Sequence, residues 1–449
     1  MAAAGSPSRR SGRSWGERVA IGATIVAAVV CFLTAGALAA GYVVLRDREV
    51  VEISNPAERT TLPASPSTAP PVATPPGSTP AAAAPTTVAV PTTPVPTFPP
   101  ADPEAKNFLI TGADNGACVD PDSPYAPAFG DAESGRVGER SDTIMIFRVD
   151  PAAGRVAVLS FPRDLYVTIA DSGNKSRINS AYQRDDPQRL IDTIYENFGI
   201  VADHFIQVDF CTFKTLVNAV GGVTVPFEFP ARDPNTGLDV PEAGCFTFDG
   251  DHALAYVRSR KYEYENPPGS GNWEEDPTSD LGRISRQQDF LRRTLSSVLA
   301  KGLLNPSVAS SLISAASDGD VVTDSGLSPA KLMEFAGVME DVTPGAIPTY
   351  QIEATGRTIN GADVLLPRID GDNMQAVLAM FRGETSLAKA PDQVFAPPPS
   401  EVPRTAAPDG SVDTTPVTTA APVPVTSAPE GEGPAENTFG IVPPRDVSC

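Results

Sequence analysis

The stretch Gly138–Ile169, GERSDTIMIFRVDPAAGRVAVLSFPRDLYVTI, decides the fold. Two apolar runs, Thr143–Val149 and Arg155–Phe161, flank the turn-forming sequence DPAAG at residues 150–154. Short runs rich in Val, Ile and Phe on either side of such a turn predict an antiparallel hairpin with Val149 opposite Arg155. Both runs are almost entirely apolar, so we expect the hairpin to be buried on two faces of a sheet.

The mouth of this hairpin carries charged side chains. When the two strands pair, their far ends also meet, which places Arg140 and Asp142 beside Arg163 and Asp164. Two interpretations are open. The first is a surface ion-pair cluster that caps the sheet, since such pairs are common and contribute little to stability. The second is a site for a metal ion and a phosphate, and other parts of the chain have to distinguish the two.

The amino-terminal region predicts a membrane anchor. Residues 1–18 contain four arginines and one glutamate, whereas residues 19–45 contain no charged side chain. About 20 apolar residues suffice to cross a bilayer, and the basic flank predicts that residues 1–18 are cytoplasmic. A cleaved signal peptide is the alternative, because Ala37-Leu38-Ala39 resembles a cleavage site. The apolar run continues to Leu45, which favours an uncleaved single span of type II topology in the cell membrane, with the rest of the chain extracytoplasmic.

Composition divides the remaining chain into three parts. Residues 46–106 are dominated by Pro, Thr, Ala and Ser and predict an extended linker. Residues 107–384 have regular apolar periodicity and are numerous enough for one substantial core. Residues 385–449 form a second low-complexity segment, which ends in Cys449. The formal net charge of −21 argues against a general nucleic-acid binder.

The cysteines and histidines bound the chemistry. Cys118, Cys211, Cys245 and Cys449 all follow the predicted span, in a compartment that permits disulfides. Four cysteines allow three pairings, which the sequence leaves open, and Cys449 is either paired to the domain or a free terminal thiol. The two histidines, at positions 204 and 252, have no Cys or His partner at ligand spacing, so a zinc site is not expected.

Strands and helices alternate in the central part. Apolar periodicity predicts the strand Lys106–Gly112, a helix from Asp186 to Gly199, the strand Phe205–Phe210, a helix stopped by Gly221 and the extended run Val223–Phe229. This alternation predicts an α/β fold, a three-layer α-β-α domain with a mixed central sheet. It would lie behind one amino-terminal transmembrane helix and be flanked by disordered Pro-rich segments.

Two later stretches deliver further cations. Asp249–Val257 is typical of a short helix with Asp249 at its N-cap, and Arg258 and Arg260 follow at its carboxyl end. The polar loop 261–279 leads into a second helix, which carries Arg283, Arg286 and Gln287. The alternatives are cations that complement a helix dipole and a solvated helix face.

Six segments taken together resemble the LytR-CpsA-Psr family of cell-envelope enzymes. They are NFLITGAD (Asn107–Asp114), RSDTIMIFRVDP (Arg140–Pro151), VLSFPRDLYV (Val158–Val167), INSAY (Ile178–Tyr182), DGDHALAYVRSR (Asp249–Arg260) and GRISRQQDFL (Gly282–Leu291). The order of all six, behind a predicted anchor, is more specific than any one of them.

The resemblance implies a phosphotransferase. Such an enzyme moves an anionic glycopolymer from a polyprenyl diphosphate carrier to peptidoglycan and forms a phosphodiester bond. Carried over by motif, Asp114 and Asp142 would hold Mg²⁺, with Mn²⁺ as an alternative. The diphosphate ligands would be Arg140, Arg163, Arg258, Arg260 and Gln287, with Arg283 and Arg286 in the same motif. Asp164 would be either a base or a partner that orients Arg163, and Arg140 and Arg163 would act in catalysis.

One departure and two alternatives accompany this reading. The family often has an arginine close after the first motif's aspartate, whereas Asn115-Gly116-Ala117-Cys118 follows Asp114 here. The same site would also serve a polyprenyl-diphosphate binder or a hydrolase that performs no ligation. A transcriptional regulator is disfavoured, because the cytoplasmic segment 1–18 is too short for a DNA-binding domain.

Overall fold

The computed structural model describes residues 49–57, 104–113, 118, 120, 122–126, 141–183, 186–301, 321–340, 342–387, 439–444, 447 and 449. The predicted cytoplasmic segment 1–18, the predicted span 19–45, and two of the predicted site residues, Asp114 and Arg140, lie outside these ranges. Within them, no helix combines the length and the apolarity needed to cross a bilayer.

The described residues form six α-helices and seventeen short or medium strands. The helices are α1 (Gln188–Phe198), α2 (Phe210–Ala219), α3 (Gly250–Arg258), α4 (Asp280–Lys301), α5 (Pro329–Glu340) and α6 (Asp372–Arg382). The strands are β1 (Glu49–Val51), β2 (Lys106–Ala113), β3 (Ser141–Asp150), β4 (Arg155–Ser160), β5 (Tyr166–Thr168), β6 (Lys175–Arg177), β7 (His204–Asp209), β8 (Val223–Phe227), β9 (Ala231–Asp233), β10 (Leu238–Val240), β11 (Gly244–Phe248), β12 (Glu263–Glu265), β13 (Trp273–Glu275), β14 (Val321–Asp324), β15 (Thr349–Gln351), β16 (Ala354–Ile359) and β17 (Ala362–Pro367).

A mixed sheet lies at the centre of the fold, with the strand order β1-β14-β7-β2-β3-β4-β15 among the described residues. The predicted hairpin is present as β3 and β4, which pair antiparallel. Its register differs by one residue from the expectation, because Asp150 lies opposite Arg155 and Val149 lies opposite Val156. The four residues 151–154 make the turn, with Gly154 at φ 60°. The far ends of the strands still meet.

Helices cover both faces of this sheet. Leu109, Ile146 and Leu159 point to one face, where they join a core with buried residues of α1 and α6. Their sequence neighbours Phe108 and Met145 point to the other face, where they pack with residues of α5 and α4. The alternation of strand side chains between two faces therefore buries the hairpin on both sides. This arrangement is the three-layer α-β-α domain with a mixed sheet that the sequence predicts.

A second core holds the helices that carry the arginines. It is built from residues of α2, α3, β8, β11 and Phe290 of α4. The segment 261–279, which we expected to be a polar loop, contains the short strands β12 and β13. These two strands belong to a second, four-stranded sheet, in which the strand order is β10-β9-β12-β13. They also bring the start of α4 close to the end of α3.

Both ends of the described chain are tied to the domain. β1 pairs with β14 in parallel, so the expected linker 46–106 contains a short strand of the folded domain. Two disulfides select one of the three open pairings, Cys118–Cys211 and Cys245–Cys449. The second bond joins the last residue of the chain to β11.

Candidate active site

The mouth of the β3–β4 hairpin brings Asp142 and Arg163 together. Asp142 is the second residue of β3, and Arg163 follows β4 after Pro162. The Arg163 guanidinium donates to the Asp142 carboxylate, and both side chains are about one-fifth exposed. The antiparallel pairing of two buried strands thus brings opposite charges to one edge of the sheet.

Helix α3 delivers two more arginines to the same carboxylate. The helix begins because the Asp249 carboxylate accepts a hydrogen bond from the His252 backbone N–H at 2.9 Å, as an N-cap residue does. Arg258, its last residue, lies 3.5 Å from Asp142 Oδ2, and Arg260 lies 4.0 Å from Oδ1. The Arg258 guanidinium also stacks on the Phe210 ring at 4.4 Å, which orients its plane.

Helix α4 supplies a fourth guanidinium. Arg283 donates to the backbone carbonyl of Asp142 at 2.9 Å, and its Nη1 lies 3.7 Å from the carboxylate. Its side chain is only 1% exposed. Four guanidinium groups from three separate segments therefore converge on one residue. We call Arg163, Arg258, Arg260 and Arg283, with Asp142 between them, the arginine cluster.

The cluster keeps Asp142 ionised. Burial alone would raise the pKa of its carboxyl, but Arg283, Arg163 and Arg258 outweigh burial and hold that pKa below its usual value. Three of the guanidinium groups still have hydrogen-bond donors that no described residue uses. Buried nitrogens of Arg163, Arg260 and Arg283 make no hydrogen bond within the described part of the chain. The arrangement is therefore a fixed set of donors directed at one small volume.

Asp280, which the sequence analysis missed, supports two of the arginines. Its Oδ1 lies 3.1 Å from Arg260 Nε and 3.0 Å from Arg283 Nη2. The available signal was its position three residues before Arg283 in the first turn of α4, a spacing that places both side chains on one face.

Asp164 pairs with two cations and faces the cluster. Its carboxylate oxygens lie 3.6 Å from Arg163 Nε and 3.3 Å from Arg177 Nε. Burial raises the pKa of Asp164, Arg163 opposes this effect, and the nearby Asp280 adds to it. Arg177 was also missed, and it is held in place by donating to the Asp363 carbonyl at 2.6 Å. With Arg177 included, five arginines face three aspartates among the residues that the structure describes, which is an excess of two positive charges.

The structure does not bring Arg286 into the cluster. Its side chain is fully buried, pairs with Asp276 at 2.8 Å and donates to the Ser259 carbonyl at 3.0 Å. It also stacks on the Tyr262 ring at 4.3 Å. Because it has no exposed surface, Arg286 does not face the arginine cluster in this structure, and its contact with a diphosphate stays a prediction. It lies behind the cluster and braces the residue between Arg258 and Arg260.

Gln287 likewise makes a structural contact. Its amide nitrogen donates to the Val257 carbonyl at 2.9 Å, near the carboxyl end of α3. The side chain is half-buried. This contact links α4 to α3 immediately before Arg258, so Gln287 lies next to the cluster and connects the two helices that build it.

A single buried carboxylate, Asp233 of β9, fixes the turn after α3. Its Oδ2 accepts from Ser259 Oγ at 2.8 Å, from the Arg260 backbone N–H at 3.1 Å and from the Lys261 backbone N–H at 3.0 Å. Asp233 is 0% exposed. Charge-assisted hydrogen bonds of this kind are stronger than neutral ones, so the path of the chain between the two arginines is well defined.

The carboxyl-terminal segment 439–444 closes the back of the site. The Phe439 N–H donates to Ser285 Oγ at 2.8 Å, and the Ile441 N–H donates to Asp276 Oδ2 at 3.2 Å. Arg286 Nη1 also donates a hydrogen bond to the Ile441 carbonyl at 3.4 Å. The segment thus contacts the buried Asp276–Arg286 pair and the neighbouring Ser285 of α4.

Comparison with known proteins agrees with this architecture. Residues 81–379 match the model of the LytR_cpsA_psr family. The chain belongs to the LytR_cpsA_psr family.

Two curated proteins are similar to part of the chain. It is 34% identical over 202 residues to "Probable cell wall biosynthesis protein LcpB" of Corynebacterium glutamicum, covering 44% of each chain. It is 33% identical over 156 residues to "Polyisoprenyl-teichoic acid--peptidoglycan teichoic acid transferase TagU" of Halalkalibacterium halodurans, covering 35% of this chain and 46% of that one. The matched region therefore spans a little under half the length of these two relatives.

Among solved structures, the "LytR-Csp2A-Psr enzyme from Actinomyces oris" is 22% identical with a TM-score of 0.46. The match covers 64% of this chain and 95% of that one.

Proposed function

We propose that this LytR_cpsA_psr protein is a phosphotransferase that moves an anionic cell-wall glycopolymer from a polyprenyl diphosphate carrier to peptidoglycan. The observation that carries the proposal is the arginine cluster, in which four guanidinium groups converge on one ionised, one-fifth-exposed aspartate. The TagU relative is named for a transfer of polyisoprenyl-linked teichoic acid to peptidoglycan. That name supports the choice of donor and acceptor.

The chemistry of the cluster suits a diphosphate. Arg groups meet phosphate oxygens with two parallel hydrogen bonds, and they stay charged at every physiological pH. Arg163, Arg258 and Arg260 are partly exposed and bind the diphosphate oxygens, whereas the buried Arg283 positions Asp142. Phosphoryl transfer depends mainly on positioning and on stabilising charge as it develops, so a preformed group of cations is the expected apparatus.

The proposed reaction exchanges one phosphorus–oxygen bond for another. A hydroxyl oxygen of peptidoglycan attacks the phosphorus that carries the glycopolymer, and the bond from that phosphorus to the bridging oxygen breaks. Polyprenyl monophosphate leaves, and the glycopolymer becomes joined to peptidoglycan through a phosphodiester. The negative charge that grows on the bridging oxygen is stabilised by the guanidinium groups. The hydroxyl proton passes to a carboxylate or to water.

Asp164, which faces the arginine cluster, is one carboxylate that could accept that proton. Its raised pKa suits proton acceptance better than the lowered pKa of Asp142 does. Its contacts with Arg163 and Arg177 suit the orienting role equally well. We propose that Asp164 mainly holds Arg163 in place, because both of its carboxylate oxygens lie within 4 Å of a guanidinium.

A divalent cation fits this site in part. Mg²⁺ uses one or two protein carboxylates together with substrate phosphates, and Asp142 is ionised and partly exposed. Asp142 and, by motif, Asp114 would hold the metal, with Mn²⁺ as an alternative. Among the described residues, no group of three or more His, Cys, Asp or Glu side chains is arranged to bind a metal alone. When bound with the diphosphate, the metal would supply further neutralisation of its charge.

We further propose that the protein is a single-pass type II membrane protein with its catalytic domain outside the cytoplasm. The uncharged segment 19–45 and the preceding arginines support this topology. The two disulfides are a second, independent support, because such bonds persist in oxidising compartments and are rare in the cytosol.

The deciding experiment uses a radiolabelled lipid-linked glycopolymer donor and peptidoglycan oligomers. The proposal expects a covalent glycan adduct joined through a phosphodiester, with polyprenyl monophosphate released in equal amount. Release of labelled product without an adduct would identify a hydrolase, and tight binding without either product would identify a carrier-lipid binder. Either result would overturn the ligase assignment.

A further inference from the structure

The first described residues of the chain are an integral part of the central sheet. In β1, Glu49 pairs with Val322 and Val51 pairs with Asp324 of β14. The connection is reinforced where the Ser325 N–H donates to the Val51 carbonyl at 3.0 Å. Val51 and Ile53 also pack against the larger core. The chain therefore joins the domain at β1, well before the Pro-rich sequence.

Strand directions show at which edge of the sheet the chain enters. β1 is parallel to β14, β14 is antiparallel to β7, and the first residue of β14 lies opposite Val208 near the carboxyl end of β7. β7 is parallel to β2, and the end of β2 lies opposite Ser141 at the start of β3. The entry to β1 and Asp142 are therefore at the same edge, which we call the site edge.

The distance along the site edge between β1 and Asp142 of β3 is small. Four strand spacings separate β1 from β3 in the sheet order, and adjacent strands lie about 4.8 Å apart, which gives roughly 19 Å. The uncharged segment 19–45 ends four residues before Glu49, and an extended chain of that length spans at most about 14 Å. The site is thus close to the point where the predicted span would leave the bilayer.

The Pro-rich sequence does not separate the span from the domain. It lies between residues 57 and 104. The segment 49–57 contacts the domain, and residue 104 lies two residues before the start of β2. Val50 of β1 is 43% exposed, one of two large apolar side chains so exposed in the described ranges. An apolar side chain beside the entry point is compatible with a lipid neighbour.

We infer that the site edge of the domain faces the membrane surface, with β1 acting as the short tether. This inference rests on the proposed type II anchor and extends the proposed function to the orientation of its site. The partner is the outer surface of a phospholipid bilayer. In this orientation the diphosphate of a lipid-linked donor reaches the arginine cluster from the membrane surface.

Photo-crosslinking tests the orientation directly. The full chain is reconstituted in phosphatidylglycerol–phosphatidylcholine vesicles that contain a phospholipid with a diazirine in its headgroup, and adducts are mapped by peptide mass spectrometry. We expect adducts on peptides from the site edge, residues 161–164, 258–260 and 280–283. The turn 151–154 lies at the opposite edge of the same hairpin and serves as the internal control. Adducts concentrated on 151–154, or absent from the site edge, would overturn the inference.

A matched pair of insertions tests the tether. Twenty Gly/Ser residues inserted between Arg48 and Glu49 lengthen the connection by roughly 25 Å, and the same insert between Ala82 and Ala83 lies in the Pro-rich sequence. We expect the first insert to lower site-edge adducts at least about fivefold and the second to leave them unchanged. Equal effects of the two inserts would contradict the tether. Crosslinking needs no turnover, so an inactive protein with the expected adducts would refute the ligase and not the orientation.

Discussion

Asp142 organises the candidate site at the scale of single residues. It accepts from Arg163, lies within 4.0 Å of Arg258 and Arg260, and offers its backbone carbonyl to Arg283. A guanidinium has no acceptor of its own, so four of them stay close together only when anions separate them. Asp142, Asp164 and Asp280 meet part of that requirement, and a diphosphate would meet the remainder.

Removing either partner of the central pair is expected to stop catalysis. In Arg163→Ala and Asp142→Ala, turnover of the lipid-linked donor should fall at least about a hundredfold, since each change removes or misplaces transition-state charge. The fold should persist, because both side chains lie at the edge of the sheet and not in its core. Arg155→Ala is the control, as Arg155 is exposed at the other end of the same hairpin. Wild-type turnover in Arg163→Ala would contradict the assignment.

The buried Asp276–Arg286 pair should make stability depend on acid. Burial alone would raise the pKa of Asp276, but hydrogen bonds from Thr278 and the charge of Arg286 lower it below its usual value. The unfolded chain then binds a proton more readily than the folded one, so this stabilisation is present above about pH 4 and is lost as pH falls further. We expect the free energy of unfolding to fall between pH 5 and 3 more steeply in wild type than in Asp276→Asn. Equal slopes would refute this role.

The positions of single residues in the site could be predicted where those residues lie at the end of a regular strand or helix. The hairpin placed Asp142 beside Arg163, and the capped helix placed Arg258 and Arg260 at one end. Asp233 was not predictable, because it stabilises a turn that lies 26 residues later in the chain, at the end of α3. The burial of Arg286 was not predictable, because a helix face has the same sequence pattern whether it meets substrate or a buried carboxylate.

At the scale of elements, three segments position the cluster. The hairpin, α3 and α4 each contribute arginines, and α3 and α4 are held together by Gln287 and by the brace from Arg286 to Ser259. Periodicity predicted these elements because each has a long apolar stripe or a clear cap. The strands β1, β12 and β13 have three residues each, which is too short for periodicity to show them.

The carboxyl-terminal segment should contribute to the stability of the α3–α4 junction. Gly440 has φ 72°, and a Cβ there would meet Thr278 Oγ1 and the Asp276 carboxylate. Gly440→Ala is therefore expected to displace the segment and lower the melting temperature by several degrees, as a loss of about 1–2 kcal/mol does in a domain of this size. Gly356→Ala is the matched control, since a Cβ at Gly356 meets nothing within 4 Å. An equal change in the two variants would contradict this role.

The turn held by Asp233 should matter for donor affinity. Asp233→Ala leaves five donors without their acceptor, three from the turn 259–261 and two from Asn235. We expect KM for the lipid-linked donor to rise more than kcat falls, because Arg260 loses its fixed position. Asp233→Asn retains one acceptor oxygen and should recover part of the affinity. Asp239→Ala, an exposed residue of neighbouring β10, is the control. A stability loss in Asp233→Ala with an unchanged KM would show that the contact is structural alone.

At the scale of the whole molecule, a three-layer domain carries its charged site at one edge of the central sheet. Composition separates a foldable central part from Pro-rich sequence, because Pro-rich sequence cannot bury enough apolar surface to fold. It did not predict that residues 49–57 return to the sheet or that residues 439–444 contact α4, since short segments acquire their structure from the surface they meet. The disulfide pairing was open for the same reason, because it depends on the folded geometry.

The central claim is that the arginine cluster binds a polyprenyl diphosphate. Isothermal titration calorimetry of a short-chain polyprenyl diphosphate into the wild-type protein, at low and high salt, measures it most directly. We predict saturable binding that weakens with salt, falls at least about tenfold in Arg258→Ala/Arg260→Ala, and is unchanged in Arg155→Ala, because only cluster arginines contact the phosphates. Equal affinity in wild type and Arg258→Ala/Arg260→Ala, or no binding by wild type, would contradict the account.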